Sequence, residues 1–109
     1  MTASLAVPFI HRGLGPMIRL TVAEGLSFDL TPQEARILSR AMAAVREGKS
    51  KVDEIYMSPI AADADFSAKV TPDGLLLETR QPPHAIAWDE VGTLAASLAA
   101  LAPEESGSA

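Results

Sequence analysis

Metal chemistry in this chain would have to come from histidines and acids, because the sequence contains no cysteine. There are only two histidines, His11 and His84, which excludes a histidine-rich metal site within one chain. Asp63 and Asp65 resemble the first half of a calcium loop, but the later glycine and the closing glutamate are missing at the required spacing. We therefore expect neither a metal site nor a cofactor.

Catalytic motifs are also missing from the sequence. No serine lies in a Gly-x-Ser-x-Gly turn, and no histidine is placed by a motif to activate one. Gly13 and Gly15 are followed by Pro16, whose missing N–H group is unsuited to a phosphate-binding loop. We expect a non-enzymatic protein with no catalytic residue. The alternative is a small enzyme whose site is assembled between subunits, for which the acids and His84 are the only candidates.

Two large amphipathic aromatic residues could anchor a protein partner, as such residues do at interface hot spots. The predicted set also includes acidic residues that a basic partner would recognise. This predicted partner-binding set consists of Tyr56, Asp63, Asp65, Trp88, Asp89 and Glu90. For Trp88 the competing interpretation is that the indole packs back onto the sheet.

The charges divide unevenly along the chain. Residues 1–51 carry seven basic and four acidic side chains, a net charge of +3, whereas residues 52–109 carry two basic and ten acidic ones, a net charge of −8. Such an asymmetry permits an acidic face that is offered to a basic partner, or a contact between copies. The alternative is an evenly solvated surface.

Basic residues on and just after the first predicted helix define a second candidate surface. Arg36 and Arg40 lie one turn apart, and three more follow, so that the predicted nucleic-acid face consists of Arg36, Arg40, Arg46, Lys49 and Lys51. The net charge of −5 and the scarcity of aromatic residues count against nucleic acid. We therefore treat nucleic-acid binding as the alternative to protein binding.

Alternating apolar residues predict the strands that must position these side chains. Apolar and polar residues alternate in 17–22 and 26–30, on either side of a turn, which predicts a hairpin. A strand is favoured at residues 52–57. A second hairpin is predicted from residues 66–70 and 75–80, which flank a Pro-Asp-Gly turn. Residues 85–87 are read as a short extended piece.

Two helices follow the strands. Thr31, Pro32 and Glu34 form a capping-box signature, and Gly48 predicts the end of the helix. Its expected apolar stripe is Ile37, Leu38, Ala41, Met42 and Val45. A second helix begins near Asp89 and is stopped by Pro103, with Val91, Leu94, Ala95, Leu98 and Leu101 on its apolar face.

The elements predict an α+β fold in the order ββαβββα, with a mainly antiparallel sheet of about five strands and both helices packed on one face. Residues 1–16 are predicted to form an arm that can add an edge strand, residues 17–102 one domain, and residues 103–109 a disordered tail.

The composition supports a single small protein in the cytoplasm, because no signal-peptide pattern or membrane-spanning run is present. The leading hypothesis is a non-enzymatic protein-interaction or regulatory module of bacterial or phage type, forming a homodimer through alanine-rich helices, with an acidic second half for a basic partner. The alternative is a nucleic-acid-binding regulator.

Overall fold

The structure, a computed structural model, describes residues 5–23, 25–62, 64–79 and 81–102. Its elements run in the order βββαββββα. They are β1 (Leu5–His11), β2 (Gly15–Ala23), β3 (Leu26–Leu30), α1 (Pro32–Arg46), β4 (Glu54–Met57), β5 (Phe66–Thr71), β6 (Gly74–Leu77), β7 (His84–Ala87) and α2 (Trp88–Leu101). Neither helix in this described part is long and apolar enough to cross a membrane.

The first sheet is a three-stranded antiparallel meander with β2 in the centre. Along β2, the buried Ile18, Leu20 and Val22 alternate with the exposed Arg19 and the half-buried Thr21, as expected for a strand with one face in the core. β1 pairs only with β2 and forms one edge of this sheet.

Helix α1 begins with the predicted capping box. The Thr31 hydroxyl accepts from the Glu34 amide at 3.1 Å, and the Thr31 amide donates to Glu34 Oε1 at 2.9 Å. The second carboxylate oxygen of Glu34 accepts from the Ile60 amide at 3.0 Å, which ties the helix start to the segment after β4. The helix ends before Gly48, which has a φ of 74°.

The second sheet is a four-stranded antiparallel meander in the order β4-β5-β6-β7. The predicted turn connects β5 to β6 at residues 72–73, and the Thr71 hydroxyl donates to the Gly74 carbonyl at 2.9 Å. The two sheets share one hydrophobic core, in which Phe28 of β3 and Phe66 of β5 meet edge to face with ring centroids 5.3 Å apart.

The helices pack against each other in antiparallel fashion and against both sheets. α1 contacts β2, β3 and β4, while α2 contacts β1, β6 and β7. At the middle of the pair the buried Ser39 hydroxyl donates to the Ala95 carbonyl at 2.7 Å. Alanine and glycine at this contact let the two backbones approach.

The α+β class and the antiparallel pairing are confirmed, but the prediction of one sheet with about five strands in the order ββαβββα is wrong. The described residues contain seven strands in two sheets. β1 and β7 add to the five expected strands, and the strands before α1 pair only with one another, as do those after it. The helices therefore pack on two sheets and not on one face of a single sheet.

One residue of the predicted α1 stripe is also misplaced. Ile37 is 48% exposed, whereas Leu38, Met42 and Val45 are buried together with Ala35. The buried face is rotated away from Ile37 and toward Ala35 and Ser39. The predicted disordered tail, residues 103–109, lies outside the described residues.

Candidate functional site

The first candidate surface lies on the β1–β2 hairpin, where apolar side chains remain exposed. Leu5, Val7, Ile10 and Leu14 are 57%, 37%, 76% and 45% exposed. We call these four side chains the hairpin surface. Leu5 and Val7 project from one face of β1 and Ile10 projects from the other, so they border the open edge of the strand. They make up half of the eight large apolar side chains that are exposed among the described residues.

The sheet register explains why Leu5 and Val7 face outward. Val7 lies opposite Arg19 and Leu5 opposite Thr21 on β2, and directly opposed residues project from the same face of a sheet. Arg19 is exposed, so this is the face directed away from the core.

Phe9 lies on the same outer face but is covered. The Arg19 guanidinium sits 4.5 Å from the centroid of the Phe9 ring, and its Nε donates to Asp29 Oδ1 at 2.7 Å. The hydrogen bond to Asp29 and the charge of that carboxylate raise the pKa of Arg19. Arg19 therefore shields Phe9 and leaves Leu5 and Val7 as the uncovered apolar part.

The hairpin tip is held by His11. Its Nδ1 accepts from the amides of Gly13 and Leu14 at 3.0 and 3.1 Å, which fixes the three-residue loop that presents Leu14. Beside Ile10 opens a predominantly apolar cavity of about 250 Å³. Its lining includes Pro8, Ile10, Pro16, Met17, Pro32 and Leu101.

Tyr56 and Asp65 of the predicted partner-binding set do meet in the structure. The Tyr56 hydroxyl donates to Asp65 Oδ2, and the Ser58 hydroxyl donates to Asp65 Oδ1 at 2.9 Å. The hydrogen bond from Tyr56, followed by that from Ser58, lowers the pKa of Asp65. The same bond to Asp65 raises the pKa of Tyr56.

Trp88, Asp89 and Glu90 are not part of that cluster. The Trp88 indole N–H donates to the Pro72 carbonyl at 3.0 Å, at the other end of β5 from Ser67, the partner of Tyr56. Five residues of strand separate these points by roughly 16 Å. Trp88 also packs against the core, and Asp63 lies outside the described residues.

The predicted basic face is divided among separate environments. Arg36 and Arg40 line one groove between the helices. Arg46 Nε donates to the Trp88 carbonyl at 3.0 Å, and Lys49 pairs with Glu47 at 3.2 Å, while Lys51 is exposed beyond the helix. Exposed pairs such as Lys49–Glu47 contribute little to stability.

No group of three or more histidine or acidic side chains is arranged to hold a metal among the described residues. His84 begins β7 and lies opposite Leu77 of β6, on a different strand from the Tyr56–Asp65 pair.

Comparison with family models, with curated proteins and with solved structures finds no match to this chain.

The hairpin surface was not among the predicted site residues. Its signal in the sequence is the segment Leu-Ala-Val-Pro-Phe-Ile, in which neither face of a strand carries a polar residue. In an edge strand only one face can be covered by the core, so such a segment predicts an exposed apolar face.

Proposed function

We propose that this chain is a non-enzymatic interaction module that self-associates through the hairpin surface into a homodimer. The observation that carries the proposal is the concentration of exposed apolar side chains between residues 5 and 14. Exposed apolar patches of this kind are typical of interaction sites.

Charge favours a second copy as the occupant. Each chain has a net charge of −5, so two copies repel each other unless they meet at a surface with no excess charge. All four hairpin-surface residues are uncharged, and the neighbouring Arg19 is neutralised by Asp29. The exposed Arg12 at the hairpin tip adds a positive charge, opposite in sign to the net charge of the chain. A two-fold contact brings the same patch of both copies together.

The area available is sufficient for a weak dimer. The four exposed fractions together equal about two fully exposed aliphatic side chains per copy. Burying them on both copies offsets an association cost of similar size. We therefore expect weak association, with a dissociation constant between about 1 µM and 1 mM.

Pro8 determines how the two copies meet. Proline is accommodated in an edge strand with its nitrogen directed away from the neighbouring strand. Pro8 lies opposite Ile18 and faces no strand on its other side, so it removes a hydrogen-bond donor from the open edge. The copies then associate through side chains and not by extending the sheet.

A dimer of this kind leaves the acids of the second half available to a basic partner. Glu54, Asp73 and Asp89 are exposed and lie on elements other than the hairpin. The dimer carries twice the net charge of one chain, which increases electrostatic steering of a cationic protein.

Sedimentation equilibrium from about 10 µM to about 1 mM covers the expected range of dissociation constants. We expect Val7→Lys to weaken the dimer at least tenfold, which corresponds to about 1.4 kcal/mol, because it places two charges in the contact. Val52→Lys is the matched control, since Val52 is 52% exposed and lies outside the hairpin. Pro8→Val should strengthen association by restoring the edge donor.

Two results would overturn the proposal. One is a wild-type chain that stays monomeric up to about 1 mM, beyond which no dimer of this area is expected. The other is a dimer that Val52→Lys weakens as much as Val7→Lys does.

A further inference from the structure

A cavity of about 510 Å³ opens on the outer face of the second sheet, and we call it the sheet groove. Its floor includes Leu76 of β6 together with Ala85 and Ala87 of β7. These side chains point away from the core, because the adjacent strand residues Leu75 and Ile86 are buried in it. The volume lies within the roughly 300–1,000 Å³ that is typical of binding clefts.

The floor of the sheet groove is low because its middle row contains a glycine. Gly74 lies opposite Thr71 on one side and opposite Ala87 on the other. A Cβ atom at position 74 would collide with the Ile86 carbonyl, so no side chain can fill this row. The groove therefore offers a shallow, mainly apolar floor on which an aliphatic chain can lie.

The lining of the sheet groove carries negative charge. Asp73 and Glu90 line it, and no basic residue does. The N-terminus of α2 contributes about half a positive charge, which is less than the charge of two carboxylates. Lys69 lies on the same face opposite Leu76, but it is also opposite Glu54 of β4. The groove therefore favours a cation.

Hydrogen bonds fix the backbone around the two acids. The Asp73 amide donates to the Thr71 hydroxyl at 3.2 Å. The Trp88 indole N–H donates to the Pro72 carbonyl at 3.0 Å, which ties the turn that carries Asp73 to the start of α2, where Glu90 lies. A site that is ordered before binding loses less conformational freedom when a partner arrives.

We propose that the sheet groove binds an arginine side chain of a basic protein partner. The aliphatic stem lies along Leu76 and Ala85, and the guanidinium reaches the carboxylates of Asp73 and Glu90. Arginine suits such a site because its stem covers apolar surface while its planar head pairs with carboxylates, often in bidentate fashion. A lysine ammonium lacks this fork.

This inference goes beyond the proposed homodimer, because it gives the acidic half of the chain a defined binding surface. Glu90 belongs to the predicted partner-binding set, whereas Asp73 does not. The sheet groove lies on the second sheet and the hairpin surface on the first, so either proposal can fail without the other.

An NMR titration of the full chain with capped tetra-arginine tests the proposal at about 0.1 M salt. The backbone amides of Leu76, Ala85 and Ala87 should shift, with a dissociation constant of about 0.1–1 mM. Capped tetra-citrulline is the matched control peptide, because citrulline has nearly the shape of arginine without its charge. It should leave these amides unmoved.

Three variants locate the contact. Asp73→Asn should weaken binding about fivefold, and asparagine is as compatible with the turn as aspartate. Asp53→Asn is the matched control: it removes the same charge from an exposed residue that precedes β4. Three strand spacings, roughly 14 Å, separate β4 from β7, more than the Debye length of about 10 Å. Ala85→Lys places a competing cation on the floor and should weaken binding at least about tenfold; lysine is well tolerated in edge strands such as β7.

Several results would overturn the proposal. If Asp53→Asn weakens binding as much as Asp73→Asn, the peptide is held by the overall charge of the chain. If tetra-citrulline binds as tightly as tetra-arginine, the carboxylates do not select the ligand. Absence of binding, or shifts confined to residues around Tyr56 and Asp65, would equally exclude the sheet groove as an arginine site.

Discussion

Gly92 offers a sharp test of the packing between α1 and α2, because its neighbour is the long side chain of Arg46. A Cβ atom at position 92 would lie 2.7 Å from Arg46 Nε and 2.9 Å from Cζ. The same Nε donates to the Trp88 carbonyl at 3.0 Å. Alanine at 92 therefore fits only if Arg46 moves and gives up this hydrogen bond.

Two effects of similar size oppose each other in Gly92→Ala. Alanine inside a helix is favoured over glycine by about 0.8–1.0 kcal/mol. A hydrogen bond from a charged donor contributes at most about 1.5–3 kcal/mol, and its exposure to solvent reduces this to about 1 kcal/mol. We expect the free energy of unfolding to change by less than about 0.5 kcal/mol in the wild-type background.

The same substitution should behave differently once Arg46 is absent. Arg46→Ala removes the hydrogen bond and destabilises the protein by about 1 kcal/mol. In that background Gly92→Ala gains its full helix preference, about 1 kcal/mol, so that the cycle shows a coupling energy of about 1 kcal/mol. For 109 residues, 1 kcal/mol corresponds to about 4 °C in Tm.

Urea unfolding of the wild type, the two single variants and the double variant measures this coupling. Trp88, the only tryptophan, provides the fluorescence signal. If Gly92→Ala stabilises both backgrounds by the same amount, Arg46 does not lie over Gly92 in solution and the packing argument is refuted.

Two further predictions concern the second sheet. Gly74→Ala should destabilise the protein by at least about 3 kcal/mol, because its Cβ would lie 2.1 Å from a backbone carbonyl of β7. The control Gly48→Ala, at positive φ but in open space, should cost only about 1–2 kcal/mol; equal losses of Tm would contradict the close approach of the strands. Tyr56, the only tyrosine, should ionise by ultraviolet titration above its ordinary value of about 10, and Asp65→Asn should return it toward that value. The pKa of Tyr56 is raised and that of Asp65 is lowered. The pair should therefore stabilise the folded state fully at pH values between the ordinary pKa values of the two groups. This stabilisation is lost as pH rises through the Tyr56 pKa or falls through the Asp65 pKa. If the wild type and Asp65→Asn show the same dependence of stability on pH, the Tyr56–Asp65 pair does not contribute to it.

The sequence predicted helix starts and turns correctly where a residue type has a defined role in the local backbone conformation. Thr31, Pro32 and Glu34 have defined roles at a helix start, and the structure shows both hydrogen bonds of the capping box. Gly25 and Gly74 lie where the hairpins were placed, each with positive φ. These signals depend only on near neighbours in the chain.

The division into two sheets could not be predicted in this way. Strand alternation indicates which residues face a core but not which strands become neighbours. Phe28 and Phe66 are 38 positions apart in the sequence, and their edge-to-face contact joins the two sheets. Nothing in either residue's local sequence specifies the other as its partner.

The candidate sites also depend on contacts between segments that the local sequence does not specify. The bond between Tyr56 and Asp65 requires β4 and β5 to pair in register, and both residues were predicted as separate partner contacts. The hairpin surface was missed for a different reason. Residues 1–16 were predicted as an arm that can add an edge strand, but the sequence does not show how much of an edge strand the core covers.

Pro8 and the exposed apolar residues around it act in opposite directions on association. An apolar edge strand with a complete set of donors would template strand addition, the first step toward aggregation. Proline removes a backbone donor from β1 but leaves the side chains of Leu5, Val7 and Ile10 accessible. In the proposed homodimer, association is then limited to side-chain burial, whose surplus over the association cost is small. The hairpin surface is consequently suited to weak, reversible pairing of copies and not to open-ended growth of the sheet.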